Sequence, residues 1–132
     1  MTPSMTWLSL SCVLAGGAIG SALRWMLGGL LNPALPNLPL GTLAVNLIGG
    51  FAIGAAIAYF DHFHHLPAEW RLFVITGLCG GFTTFSAFSG ETVSLLLREE
   101  YGWSFAIVAA HVLGSLALTF AGIATMKRLL ET

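Results

Sequence analysis

Charge is what this chain has least of: Asp, Glu, Lys and Arg make up 8% of its 132 residues, against 56% hydrophobic. A water-soluble domain carries charge at roughly a quarter of its positions. The shortage therefore excludes a surface bathed in water on all sides and indicates a membrane-embedded chain. The net charge is −1, so nothing suggests nucleic acid as a partner or a basic membrane-surface domain, and neither is expected. Cysteine is scarce too. Cys12 and Cys79 lie in separate apolar stretches, where a thiol behaves as a small hydrophobe, so neither a disulfide nor a metal role is expected of them. The N-terminus, MTPSMTWLSLSCVLAGG, lacks the cationic region that begins a signal peptide, and its apolar stretch runs too long for one. It reads as the first membrane span of a single domain, 1–132.

What the chain has in quantity is apolar length. Aromatic rings settle at headgroup level, and here they mark the edges of the apolar runs: Trp7 and Trp25, Tyr59, Trp70, then Tyr101 and Trp103. The spans are about 7–27, 40–60, 70–97 and 103–126, each near or above the roughly 20 residues that cross hydrocarbon. Four such helices leave both termini on one side. The connections NPALPNLP, DHFHHLPAE and REEYG are short, so no soluble domain is left over. Within the second, His62, His64 and His65 have no nearby cysteine and too few carboxylates for a metal site, and a solvated turn is expected.

Orientation follows Lys and Arg. Arg71, Lys127 and Arg128 fall on the side of the termini, and Arg24 and Arg98 on the other, three against two. Two readings fit so small a bias: insertion both ways with pairing as an antiparallel dimer, or one orientation fixed by features the count misses. Four short helices enclose little space, so a transport pathway calls for a partner subunit. Small-residue spacings that allow close helix approach occur at Gly16 with Gly20, Gly50 with Gly54, and Gly77 with Gly81.

Polar residues form stripes on these apolar cylinders. His111, Ser115 and Thr119 recur every four residues in span 4, and Thr42 and Asn46 do so in span 2, which puts each set on one helix face. Interhelical hydrogen bonds, or hydroxyls bonded back to their own helix, account for most membrane Ser and Thr. Asn46 differs, because its amide cannot be satisfied by its own helix. Charged residues within spans carry a functional default. Arg24, beside Trp25, either snorkels to the interface or serves the site. Glu91 either sits in a water-filled vestibule or pairs with an arginine.

Span 3 is overlong: 70–97 as one helix would extend about 42 Å, against a hydrocarbon core of about 30 Å. An interruption fits where Gly77, Gly80 and Gly81 precede Thr83 and Thr84. A broken helix frees carbonyls at the end of one half and amides at the start of the next, and at membrane depth these are buried in protein or occupied by an ion. The alternative is a kink satisfied by neighbouring helices. Phe85 and Phe88 follow. Their ring edges are positive and would favour an anion without the full charge of Arg or Lys; packing is the plainer role for either ring taken alone.

GGAIGSALRWMLG (16–28), GTLAVNLIGGFAIG (41–54), GLCGGFTTFSAFSGET (77–92) and HVLGSLALT (111–119) resemble, in order, the motifs of the CrcB/Fluc family of fluoride channels. The resemblance implies an all-α membrane protein with four transmembrane helices per subunit, a broken third helix and an antiparallel dual-topology homodimer. It implies two pores at the dimer interface that export fluoride passively, a multi-pass location in the bacterial inner membrane, and relief of fluoride toxicity. It also implies a structural sodium ion at the dimer centre, held by backbone carbonyls at the positions of Gly80 and Thr83. The family's pore phenylalanines match Phe85 and Phe88, its pore asparagine matches Asn46, and Ser115 falls on its fourth-helix hydroxyl track with His111 and Thr119. Thr42 joins the pore set through the span 2 stripe, and Glu91 and Arg24 match the family's glutamate and first-helix arginine. Two positions stand apart. Ala87 replaces a frequent Thr, removing a hydroxyl. His111, where members have Ser or His, is a hydrogen-bond donor whose protonation would make conduction change between about pH 5 and 8.

The rival reading is a small proton-coupled multidrug exporter, which also uses four helices and dual topology. That chemistry needs a carboxylate deep in the first span, and span 1 has no Asp or Glu. An intramembrane hydrolase built on Ser89 and His111 lacks a catalytic motif and an orienting acid. The chain is not expected to be an enzyme.

Overall fold

A computed structural model describes residues 5–132, and Met1 to Ser4 of the N-terminal stretch lie outside it. The fold is all-helical. Four segments are long and apolar enough to cross a bilayer: Trp7–Ala34, Leu40–His62, Ala68–Leu97 and Tyr101–Leu130. Each contains the corresponding expected span and runs a few residues beyond it at one end or both. Helix α1 is Trp7–Leu31, continued by a 3-10 turn at Asn32–Ala34, and α2 is Leu40–His62. The third segment starts with α3 (68–82), in which Ala68–Arg71 leads into π-helical Leu72–Cys79 and then Gly80–Phe82. It ends with α4, Phe85–Leu97, and the last segment is α5, Tyr101–Leu130.

Local chemistry sets the ends. Thr6 caps α1 by accepting from the Ser9 amide at 3.1 Å, which satisfies one orphan donor of the first turn. Asn32 Oδ1 accepts from the Thr42 amide at 3.1 Å and so caps α2 from outside that helix. Between α3 and α4, Thr83 (φ −83°, ψ 160°) and Thr84 (φ −151°, ψ 115°) have extended backbones. Thr84 then caps α4, its hydroxyl accepting from the Ala87 amide at 3.2 Å. At the other end of α4, Glu99 has φ 61°, and the amides of Glu99 and Glu100 close on the carbonyls of Leu96 and Leu95.

Glycine pairs decide which helices meet. A Cβ on Gly77 would lie 2.8 Å from the Val13 carbonyl, and one on Gly81 2.6 Å from the Gly17 carbonyl. The Gly16/Gly20 and Gly77/Gly81 spacings therefore face each other across the α1–α3 contact, where backbones touch directly. Gly50 and Gly54 meet α5 instead: a Cβ on Gly54 would lie 3.1 Å from the Ile123 amide, and one on Gly122 2.9 Å from the Ala55 amide. Side-chain burial is confined to a few positions, among them Val45, Leu95 and Ile107. Phe88, Leu95 and Ile107 pack together with Leu38 against them. Large apolar side chains such as Trp7, Trp25, Phe105 and Phe120 point outward, as suits helices whose surroundings are lipid or another subunit.

Candidate functional site

The site is built around the extended pair Thr83–Thr84. The Asn46 side chain, on α2, clasps the backbone of Thr84: Thr84 N–H donates to Asn46 Oδ1 at 2.8 Å, and Asn46 Nδ2 donates to the Thr84 carbonyl at 2.9 Å. An amide that its own helix cannot satisfy thus replaces the helical partners of a residue that has left its helix. The second hydrogen of Asn46 Nδ2 points to His111 Nδ1, 3.0 Å away on α5. His111 is 4% exposed and stacks on Phe88, with ring centroids 4.6 Å apart and planes 28° apart. Phe88 in turn meets Phe85 edge-on at 5.4 Å and 72°. The two phenylalanines differ in setting: Phe88 is 8% exposed, whereas Phe85 is 77% exposed.

These groups line one groove of about 410 Å³, shared by Asn46, Gly80, Thr83, Phe85, Phe88, His111 and Ser115, with Cys79 buried in its wall. Seven of the sequence-predicted residues therefore converge. Ser115 Oγ lies 3.5 Å from the Asn46 carbonyl. Thr119 is not among the groove's lining; its hydroxyl bonds back to the Ser115 carbonyl at 2.9 Å. Thr83 likewise turns its hydroxyl back to the Cys79 carbonyl at 2.9 Å, which commits its one O–H hydrogen to its own helix.

Thr42, Glu91 and Arg24 form a second pocket of about 270 Å³, together with Asn32 and Ala87; Thr84 lines both spaces. Thr42 donates to Glu91 Oε1 at 2.5 Å, while Oε2 is buried with no partner among the described residues. Among those residues the ion pairs are Arg71–Asp61 and Arg98–Glu100, so Glu91 has a threonine as its partner and not an arginine. Arg24 reaches inward: its Nε donates to the Gly81 carbonyl at 3.0 Å, placing a cation at the carbonyl end of α3. Ala87, where a hydroxyl is absent, borders this pocket and contributes its amide to the Thr84 cap.

Sequence reasoning put Thr84 at the interruption without giving it a role in the site, and missed Asn32. Thr84 carried a readable signal, a threonine directly before an apolar helical run, the ordinary mark of an N-cap. Asn32 stands before Pro33 in a connection and reads only as a turn residue. His62, the last residue of α2, and His64 and His65 on the loop that follows are exposed, with the rings of His62 and His65 edge-on to Phe63.

Fold and site together define a small multi-pass membrane protein in which polar side chains from several spans meet the extended backbone of Thr83 and Thr84. A family model described as CrcB-like protein, Camphor Resistance (CrcB), matches residues 11–123. Relatives named Fluoride-specific ion channel FluC include that of Nitrosospira multiformis, 57% identical over 93% of this chain and 96% of its own length. Those of Nitrosomonas europaea and Pseudomonas paraeruginosa are 52% and 51% identical, over 91% and 94% of this chain and 94% and 98% of their own lengths. This chain belongs to the CrcB family, which is a family of ion channels and not of enzymes.

Proposed function

We propose that the chain is a fluoride-selective channel that exports fluoride passively and so relieves its toxicity, working in the inner membrane of a bacterium as an antiparallel, dual-topology homodimer with two interfacial pores. The observation that carries this reading is the groove itself, where His111, Ser115, Asn46 and the Phe85–Phe88 pair line one space in a chain 57% identical to a fluoride-specific channel. Fluoride holds its hydration shell tightly, and a pore must replace lost water with several weak donors. Hydroxyl and ring edges supply these without a fixed cation that would trap the ion. The exposed Phe85 supports a pore completed by a second copy, since a groove open on one side cannot enclose an ion. Thr42, Glu91 and Arg24 form the vestibule leading to it, and Thr119 sits one turn beyond Ser115 on the same track.

The residues fit a structural sodium ion. In a continuous helix the Gly80 carbonyl would accept from the Thr84 amide and the Thr83 carbonyl from the Ala87 amide. Here Thr84 N–H is diverted to Asn46 and Ala87 N–H to the Thr84 hydroxyl. That frees two neutral oxygens bordering the groove, the kind of ligand that interrupted membrane helices offer to sodium. The Gly80 and Thr83 carbonyls would hold such an ion by their dipoles, and it would supply the positive partner that they lack within the helix.

Liposomes containing the purified protein test the function. We expect fluoride efflux without a proton gradient, at a rate far above that of chloride under the same gradient. Equal chloride flux would defeat the selectivity reading. Proton-coupled uptake of a lipophilic cation would establish the exporter instead.

A further inference from the structure

We propose that His111 is the positioning residue of this site: as a neutral ring protonated on Nε2, it accepts a hydrogen bond from Asn46 and so fixes the amide that clasps Thr84. The reasoning starts from the backbone. Thr84 N–H can only donate, so the Asn46 atom 2.8 Å from it is the oxygen, and the atom 2.9 Å from the Thr84 carbonyl is the nitrogen. The orientation of the amide is therefore fixed without reference to His111. One Nδ2 hydrogen goes to the Thr84 carbonyl and leaves the other for His111 Nδ1 at 3.0 Å. An amide nitrogen does not accept hydrogen bonds. His111 Nδ1 must then be the bare nitrogen, and Nε2 carries the ring's one proton.

Two further observations agree. Nε2 is buried with no partner among the described residues, so no group of this chain competes for the opposite tautomer. The ring is held flat against Phe88, which fixes the direction of Nδ1. His111 thus joins α5 to the extended pair through Asn46, and acts on the groove through another side chain.

The inference rests on the channel reading for its flux test but not for its spectroscopic one. In protein labelled with ¹⁵N histidine and reconstituted in bilayers near neutral pH, the His111 signals are those lost in H111N. We expect a protonated Nε2 and an unprotonated Nδ1; a protonated Nδ1 overturns the proposal whatever ion the protein carries. The flux arm compares variants by where they put a polar atom. Asn carries its oxygen where His carries Nδ1, Gln carries its polar groups near the position of Nε2, and Leu has none. We expect H111L and H111Q to lose about tenfold in fluoride flux, the scale of one lost hydrogen bond, and H111N to restore most of it. Flux in H111Q equal to or above that in H111N would overturn the positioning role, because it would place the important contact at Nε2.

Discussion

Replacing Asn46 by leucine keeps the side chain's size and removes its three hydrogen bonds, two to the Thr84 backbone and one to His111. Thr84 is 9% exposed, so its amide and carbonyl gain little from water when the clasp is gone. A buried group left unsatisfied costs about 1–3 kcal/mol, and here that group is the Thr84 amide, because the Thr84 carbonyl, at the N-cap, still accepts from the first turn of α4. Helix-to-helix hydrogen bonds in bilayers average nearer 0.6 kcal/mol and reach about 2, because the unfolded state in the membrane also finds partners. The lower end is therefore expected, about 1–2 kcal/mol, or roughly 5- to 30-fold in the unfolding equilibrium. Purified protein in detergent micelles, titrated with a denaturing detergent and followed by tryptophan fluorescence, measures this. Thr119→Val is the comparison: its hydroxyl bonds only its own helix and its loss should cost less than about 0.5 kcal/mol. If Asn46→Leu falls within about 0.5 kcal/mol of the parent, the clasp is not what satisfies Thr84, and the account of the site fails.

Phe85 and Phe88 should separate by assay. Phe88→Ala removes a packed ring and should destabilise the chain by about 2–4 kcal/mol, whereas Phe85→Ala, at 77% exposure, should leave single-chain stability nearly unchanged and still abolish fluoride flux from liposomes. Thr42→Val strips Glu91 Oε1 of its donor and should cost about 1–3 kcal/mol; Glu91→Gln, which retains an acceptor oxygen, should cost less in the same detergent titration. Gly54→Ala forces a Cβ into the backbone of Thr119 and should lose about 1–3 kcal/mol, while Gly29→Ala, with nothing within 4 Å, should be neutral or slightly stabilising. Glu99→Gly relieves a left-handed backbone at φ 61° and should raise stability by about 0.5–1 kcal/mol.

The spans were legible because hydropathy and aromatic edges act over whole segments, and the bilayer imposes their length. The glycine spacings were legible as approach surfaces, but their partners were not. Gly16 and Gly20 could have met any helix until the Gly77/Gly81 face of α3 was seen opposite them. Stripes on helices were less informative than they looked. Thr119 and Thr42 have the same spacing from Ser115 and Asn46, yet one hydroxyl turns back on its own helix and the other reaches a carboxylate on α4. Spacing assigns a face, while the partner depends on what the facing helix happens to carry. The π-helical turns at Leu72–Cys79 have no sequence mark at all, since LFVITGLC is an ordinary apolar run. Such turns are frequent at functional sites, and here they lead directly into Gly80. Arg24 beside Trp25 resembled an interfacial anchor, and only the position of the Gly81 carbonyl turns it inward.

An interruption in mid-membrane has to be solvated by something other than water. Around Thr83 and Thr84 the groups that do this come from three different spans. Arg24 on α1 takes the Gly81 carbonyl, Asn46 on α2 takes both backbone groups of Thr84, and the Thr84 hydroxyl takes the Ala87 amide. Each partner matches the polarity of what it meets: a cation for a helix-end carbonyl, an amide for a peptide unit, a hydroxyl for an N-terminal N–H. The pattern also explains why the arginine and the asparagine are not interchangeable, since a guanidinium has no acceptor to offer the Thr84 amide. Among the backbone groups that these assignments leave without a helical partner are the carbonyls of Gly80 and Thr83, two residues that border the groove. A fold that needed only a kink would gain by covering those two oxygens as it covers the others. Leaving them there, beside an exposed phenylalanine, is what the proposed cation and second copy of the chain would account for.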